Sequence, residues 1–269
     1  MAIKDVSDVP LGDLLSLKGR GAVVTGGAQG LGRGIARRLA EAGADLLIGD
    51  LNLELAQEVA GELARTYNAK VIAARLDVAD SASITAIADQ AVSEFGSLDV
   101  WVNNAGIYPN IHLTEMTDEV WDKVMAINLR GVFAGSREAA RRMIAAGNGG
   151  VIVNVASTAG FKGVAPGVVA YVSSKHGVVG MCKQLAIELA PHNIRVLGVA
   201  PTFCDTEGNT AALSKLPDRV RTEIAATVTS RLGRIGTPDD IGRAVLFCAS
   251  DMSAFMTGST LLVDAAEVC

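Results

Sequence analysis

The sequence predicts an α/β protein with a doubly wound parallel sheet of about seven strands and helices on both faces. Three observations carry this expectation. Short apolar runs rich in Val and Ile alternate with longer stretches of helical composition. The first run, Val23-Val24-Thr25, feeds into the glycine-rich turn Gly26-Gly27-Ala28-Gln29-Gly30-Leu31-Gly32, and helical composition follows from Arg33 to Ala42. The polar residues best suited to chemistry fall just after apolar runs, and a sheet of this kind binds ligands at the carboxyl ends of its strands.

Residues 1–16 are expected to form a short arm, with 17–269 as a single unit that shows no linker, repeat or low-complexity tract. Strands are expected near Gly21–Thr25, Asp45–Asp50, Lys70–Arg75, Val100–Asn103, Val151–Val155, Arg195–Val199 and Thr260–Val263. Each is short and β-branched or apolar, as strands buried on both faces are. Helices are expected over Leu53–Tyr67, Ser81–Phe95, Thr117–Asn128 and Leu129–Ala146. Thr237-Pro238-Asp239-Asp240 reads as a helix start, because Thr caps, Pro fits the first turn and acids favour the positive end. The segment 206–231 is expected to cover the substrate, with Val220, Ile224 and Val228 at helical spacing on one face. Plain core packing explains that spacing equally well.

The glycine turn has the strand–turn–helix setting of a phosphate-binding loop. Glycines let a pyrophosphate lie against the backbone, and the helix N-terminus offers unpaired N–H groups. Its spacing is Gly26-x-x-x-Gly30-x-Gly32, not Gly-x-Gly-x-x-Gly. Asp50 ends the second strand, eighteen residues beyond Gly32. A carboxylate there accepts ribose hydroxyls and repels a 2′-phosphate, and Gln29 is neutral where a basic side chain would pair with one. Both residues favour NAD over NADP. Further along, Tyr171 and Lys175 stand one helical turn apart on one face, with Ser157 before them. A phenol ionises near pH ~10, and a neighbouring cation lowers that value toward the range of a general acid/base.

The ordered set of Thr25-Gly26-x-x-x-Gly30-x-Gly32, Asp77-Val78, Asn103-Asn104-Ala105-Gly106, Asn128, Ser157, Tyr171-x-x-x-Lys175 and Pro201 to Thr206 resembles the short-chain dehydrogenase/reductase family from about Leu17 to Asp264. The resemblance implies a Rossmann-type fold and reversible oxidation of a secondary alcohol to a ketone, with hydride passing to or from NAD and no metal. It casts Tyr171 as the proton carrier and Lys175 as the group that lowers its pKa and holds the nicotinamide ribose. Ser157 would polarise the substrate oxygen, and Asn128 would hold a water linking Lys175 to solvent. Cofactor contacts would come from Gly26, Gln29, Gly30, Leu31, Gly32, Asp50, Leu51, Asp77, Val78, Asn104, Ala105, Gly106, Tyr171, Lys175, Pro201, Cys204 and Thr206. Asp77 would meet the adenine amine, with a turn cap as its alternative, and Asn103 is taken as mainly structural. A homotetramer is implied as well, with Gly131, Ala134 and Gly135 offering close approach on the helix after Asn128.

The sequence departs from the family pattern in three places. Ser157 follows alanine and lies one residue farther from Tyr171 than is usual, so Thr158 competes for its role. Pro201-Thr202 replaces Pro-Gly, and Asp264-Ala265-Ala266 replaces Asp-Gly-Gly.

Composition narrows the remaining choices. With 49% hydrophobic residues among 269, the chain builds a sizeable core. A net charge of −5 and a pI near 5.3 argue against nucleic acid or an anionic membrane as partner. No apolar run reaches the ~20 residues of a membrane span, and the N-terminal residues lack signal-peptide character, so a cytoplasmic protein is expected. Cys182, Cys204, Cys248 and Cys269 have neither metal nor disulfide spacing, and His112, His176 and His192 are scattered. Ile107, Tyr108, Val164, Val168 and Phe203 are candidate pocket residues, and Lys162 is the one basic side chain in the Ser157–Tyr171 loop. Their apolar character favours a neutral substrate. A 3-oxoacyl-thioester reductase, a polyol or sugar dehydrogenase, a dehydratase or epimerase, and a non-catalytic NAD-binding scaffold are the alternatives. Asp50 and Gln29 weigh against the thioester reductase, since biosynthetic reductases of that kind usually take NADPH.

Overall fold

Seven strands form one parallel sheet in the order β3-β2-β1-β4-β5-β6-β7 in the computed structural model, which describes residues 3, 5–214 and 230–269. The strands are β1 Gly21–Thr25, β2 Asp45–Asp50, β3 Val71–Arg75, β4 Val100–Asn103, β5 Gly150–Val155, β6 Ile194–Pro201 and β7 Thr260–Val263. Every neighbouring pair is parallel. The chain winds outward from β1 to β3, then returns to lay β4 on the other side of β1. That reversal opens a crevice beyond the carboxyl ends of β1 and β4, where doubly wound sheets bind ligands.

Alternation along the strands splits the core into two layers. Ala22, Val24, Leu46, Ile48, Val100 and Val102 face one side, against helices α2 (Gly30–Glu41), α3 (Leu53–Tyr67) and Pro238–Ala249. Val23, Leu47, Trp101, Ile152 and Val196 face the other, against α4 (Ser81–Phe95), α6 (Gly131–Ala146) and α7 (Val169–Leu189). Every residue of β1 and β6 is buried, which accounts for their largely apolar sequences; the exception in charge, Arg195, is satisfied by the Cys248 and Ser250 carbonyls and Ser253 Oγ.

Local chemistry sets the helix limits. Asn52, Asp80 and Thr117 cap α3, α4 and α5 (Asp118–Met125) by accepting from backbone N–H groups. Asn68 and Gly96 end α3 and α4 in the left-handed conformation. The helix Pro238–Ala249 starts with a full capping box between Thr237 and Asp240. Among the described residues, two short helices, α1 (Leu11–Leu14) and α8 (Glu207–Leu213), precede that helix, which we number α9.

The expected elements recur with shifted ends. β5 and β6 are longer than expected, and α2 begins at Gly30 inside the glycine turn, not after it. The expected break at Asn128 is a π-helical turn, Ala126–Arg130, that carries α5 into α6 without leaving the helix. Val220, Ile224 and Val228 lie outside the described residues. The close-approach role expected of Gly131, Ala134 and Gly135 is corrected: all three are buried against the chain's own core. A Cβ on Gly131 would meet the Val78 carbonyl oxygen at 2.9 Å, and one on Gly135 would meet Asn103 Oδ1 at 2.3 Å. Phe133 and Ile144 are large apolar side chains that α6 exposes.

Candidate active site

The glycine turn is built for contact through its backbone. Gly26 and Gly30 have φ of +65° and +55°, a region glycine enters freely. A Cβ on Gly32 would sit 1.9 Å from the Gly26 carbonyl oxygen, so the turn closes only with glycine there. Asn104 ties this turn to the end of β4, its Nδ2 donating to the Thr25 and Gly26 carbonyls at 3.0 Å each. Thr25 returns the link, its Oγ1 accepting from the Asn104 and Ala105 N–H groups at 2.9 and 3.1 Å. On the same face of the sheet, α9 pins α2: Arg38 pairs with Asp239 through two contacts of 2.6 and 2.8 Å.

Asp50 stands at the end of β2 beside the turn. Its Oδ2 accepts from the Ala28 N–H at 3.1 Å and its Oδ1 from the Asn52 N–H at 3.0 Å. These bonds fix the carboxylate, and each oxygen keeps a lone pair for a ligand hydroxyl. Asp77 takes the turn-capping role, its Oδ1 accepting from the Ala79 N–H at 2.9 Å. Asn103 is structural, as expected: its Oδ1 accepts from Trp101 Nε1 at 2.7 Å and its Nδ2 donates to Asn154 Oδ1 at 2.8 Å.

The second half of the site hangs on α7. Tyr171 and Lys175 occupy its first two turns, and the Lys175 ammonium lies 5.7 Å from the Tyr171 ring centre. Lys175 is buried, with no carboxylate partner among the described residues, and its Nζ donates to the Val155 carbonyl at the end of β5 at 2.7 Å. Burial therefore lowers its pKa to about 8. Burial also raises the Tyr171 phenol above its ordinary value, while a hydrogen bond with Ser157 acts the other way. The sequence suggested a phenol drawn down by Lys175. In this geometry burial dominates the phenol, and the Lys175 ammonium is turned to the Val155 carbonyl. Of the two competing hydroxyls, Ser157 and not Thr158 is the one that acts on the phenol's ionisation. Thr158 begins the 3₁₀ turn that follows.

Asn128 is fully buried in the π-helical turn. Its side chain clamps Ile107 from both ends, Nδ2 to the carbonyl at 2.7 Å and Oδ1 from the N–H at 2.9 Å. Nδ2 also reaches Ser174 Oγ at 3.3 Å, and Ser174 donates to the Tyr171 carbonyl at 2.7 Å. Asn128 thus joins the loop after β4 to the tyrosine helix.

Around this cluster, Tyr108 stands edge-on to Tyr171 with ring centres 6.1 Å apart. Its hydroxyl donates to Asn209 Oδ1 on α8 at 2.8 Å, and Asn209 Nδ2 donates to the Cys204 carbonyl at 2.7 Å. Lys162 does not face the site as a free cation, since it pairs with Glu267 at 3.1 Å. Cys204 lies after β6, where a cofactor contact is expected, but it does not present its side chain there. Its thiol is packed in the core, where burial pushes its pKa up to about 12, leaving the main chain to meet a ligand. Thr25, Ser174, Asn209 and Glu207 were not singled out from the sequence. Thr25 and Ser174 lie inside quoted motifs, but their bonds depend on elements far away in the chain. Asn209 and Glu207 follow Thr206 with no pattern to mark them. Among the described residues, no cluster of His, Cys, Asp or Glu is arranged to hold a metal, and no helix is long and apolar enough to cross a membrane.

Comparison with known proteins matches residues 26–265 to the family described as Enoyl-(Acyl carrier protein) reductase. The chain is 39% identical to 3beta-hydroxysteroid dehydrogenase 2 of Eggerthella lenta, over 92% of this chain and 94% of that protein. It is also 39% identical to the 3-oxoacyl-(acyl-carrier-protein) reductase FabG of Chlamydia muridarum, over 92% and 97%. Among solved structures, a short-chain type dehydrogenase/reductase from Mycobacterium marinum superposes with a TM-score of 0.87 at 33% identity, covering 96% of this chain and 98% of that one.

Proposed function

The chain belongs to the short-chain dehydrogenase/reductase family of oxidoreductases, and from that premise we propose that it interconverts a neutral secondary alcohol and its ketone with NAD(H). The observation that carries the proposal is the grouping of Tyr171, Lys175 and Ser157 beside the crevice, with Asp50 fixed at its far end. The residues present fit a dinucleotide. The turn closes only with glycine, and the Gly30 N–H already holds an anion, the Glu207 carboxylate, at 2.9 Å. Gly26, Gln29, Gly30, Leu31 and Gly32 would hold the diphosphate. Asp50 and Leu51 would take the adenosine ribose, and Asp77 and Val78 the adenine. Asn104, Ala105, Gly106, Pro201, Cys204 and Thr206 would line the rest.

A bound nicotinamide supplies or accepts the hydride. Tyr171 moves the accompanying proton through its Oη. Ser157 Oγ, beside that phenol, holds the substrate oxygen in line with it. Lys175 brings positive charge to the phenol and a donor to the nicotinamide ribose. Asn128 spends its side chain on Ile107, so its main chain is what remains to hold a water behind Lys175. Lys162 is neutralised by Glu267, which leaves no basic anchor in that loop for a carboxylate or phosphate and supports a neutral substrate. The likeness to FabG supports a second reading, reduction of a 3-oxoacyl thioester. A homotetrameric, cytoplasmic enzyme is part of the proposal and rests on the family.

The test is turnover, read as reduced-nicotinamide absorbance, against secondary alcohols, polyols and 3-hydroxyacyl thioesters with NAD and NADP in turn. Tyr171→Phe should lower kcat by roughly 10²–10⁴-fold with cofactor binding intact. Turnover confined to NADP would overturn the role given to Asp50, and activity retained in Tyr171→Phe would overturn the mechanism.

A further inference from the structure

Glu207, the first residue of α8, is placed where no bystander would be. Its Oε2 accepts from the Gly30 N–H at 2.9 Å, across 177 positions of sequence. That N–H opens α2, and it is one of the donors a dinucleotide diphosphate would claim. The neighbouring Thr206 packs over the same glycine, its Cβ 3.5 Å from where a Gly30 side chain would begin.

The carboxylate is also held there by its own segment. Asn209 bridges Tyr108 on one side and the Cys204 carbonyl on the other, and Thr210 Oγ1 donates to Asp205 Oδ1 at 2.9 Å. These bonds keep α8 against the crevice, so Glu207 cannot simply swing away with the whole helix at no loss of contacts.

We propose that Glu207 sets cofactor affinity by competing with the dinucleotide diphosphate for the Gly30 N–H. Two anions cannot share one donor at close range, because like charges repel. Binding must therefore displace the carboxylate, and the apparent affinity falls by the fraction of molecules in which it is docked. The same competition favours release, since a carboxylate on a tethered arm returns faster than a second ligand arrives from solution. The inference rests on the dinucleotide assignment above and adds to it the residue that holds the seat when the cofactor leaves.

The experiment compares wild type, Glu207→Gln and Glu207→Ala by titration with NADH, ADP and adenosine, with thermal melting as the folding control. Glu207 is solvent-exposed, so both variants should fold. Removing the charge should lower the Kd for NADH and ADP by about tenfold and leave adenosine, which has no diphosphate, unchanged. Unchanged or weaker NADH binding in both variants would overturn the inference, as would an equal gain for adenosine. Wild type that binds neither NADH nor NADPH would instead overturn the dinucleotide reading itself, and the inference with it.

Discussion

Lys175 carries a tension between stability and chemistry that its position makes measurable. Among the described residues it has no counter-carboxylate, and its ammonium donates to the Val155 carbonyl. Its pKa stands at about 8 in the folded chain, below the ordinary 10.5. The unfolded chain therefore holds this proton more tightly than the folded one. Between those two values stability rises with pH, and below pH 8 the full penalty of burying the charge remains. That penalty is roughly 3 kcal/mol. Lys175→Met removes it but leaves the Val155 carbonyl without its donor, a loss of about 1–3 kcal/mol that does not depend on pH. Denaturant midpoints of the two proteins, measured from pH 7 to pH 11, should shift in favour of wild type as the lysine deprotonates. A constant offset across that range would show that Lys175 carries no burial penalty. The sequence placed Tyr171 and Lys175 one turn apart, yet it could not show that the ammonium turns to β5. That geometry depends on where Val155 ends its strand.

At the scale of elements, the meeting of β1, the glycine turn and α2 was the most legible part of the sequence, because glycine spacing and apolar runs are local signals. The π-helical turn at Asn128 was legible only as a boundary. Its hydrogen-bond pattern answers to Ile107, a contact between distant segments. The same limit misled the expectation for Gly131 and Gly135. Small residues signal close approach but not whether the partner is another subunit or, as here, Val78 and Asn103. Two substitutions separate what the turn does for folding from what it does for binding. Gly32→Ala drives a methyl into the Gly26 carbonyl, with 1.9 Å available, and should destabilise by about 1–3 kcal/mol while weakening NADH binding by at least tenfold. Thr237→Ala removes the capping box of α9 and should destabilise by about 1 kcal/mol with NADH affinity unchanged. Equal binding losses in the two variants would mean that affinity follows general stability and not the shape of the turn.

The whole molecule is organised around the reversal between β1 and β4. β2 and β3 form one wing of the sheet and β5, β6 and β7 the other, and they meet through one pair of parallel contacts. The proposed cofactor would lie across that seam, with Asp50 on the first wing and the Tyr171 cluster beside the second. The alternation of runs predicted a seven-stranded doubly wound sheet, but strand order is a property of chain crossings that no single run encodes. A ligand across the seam binds only the folded protein, so it should raise the melting temperature through both wings together. At a hundredfold excess over Kd the gain is about 2.7 kcal/mol, which for a chain of this size corresponds to roughly 5–10 °C. At equal concentrations NADH should produce this shift and NADPH a much smaller one, because in the proposed binding mode the Asp50 carboxylate would meet the 2′-position. Asp50→Asn keeps an acceptor for the Ala28 N–H while removing the charge, and should bring the two shifts together. A larger shift with NADPH in wild type would place the phosphate on a basic group and move the cofactor assignment to NADP.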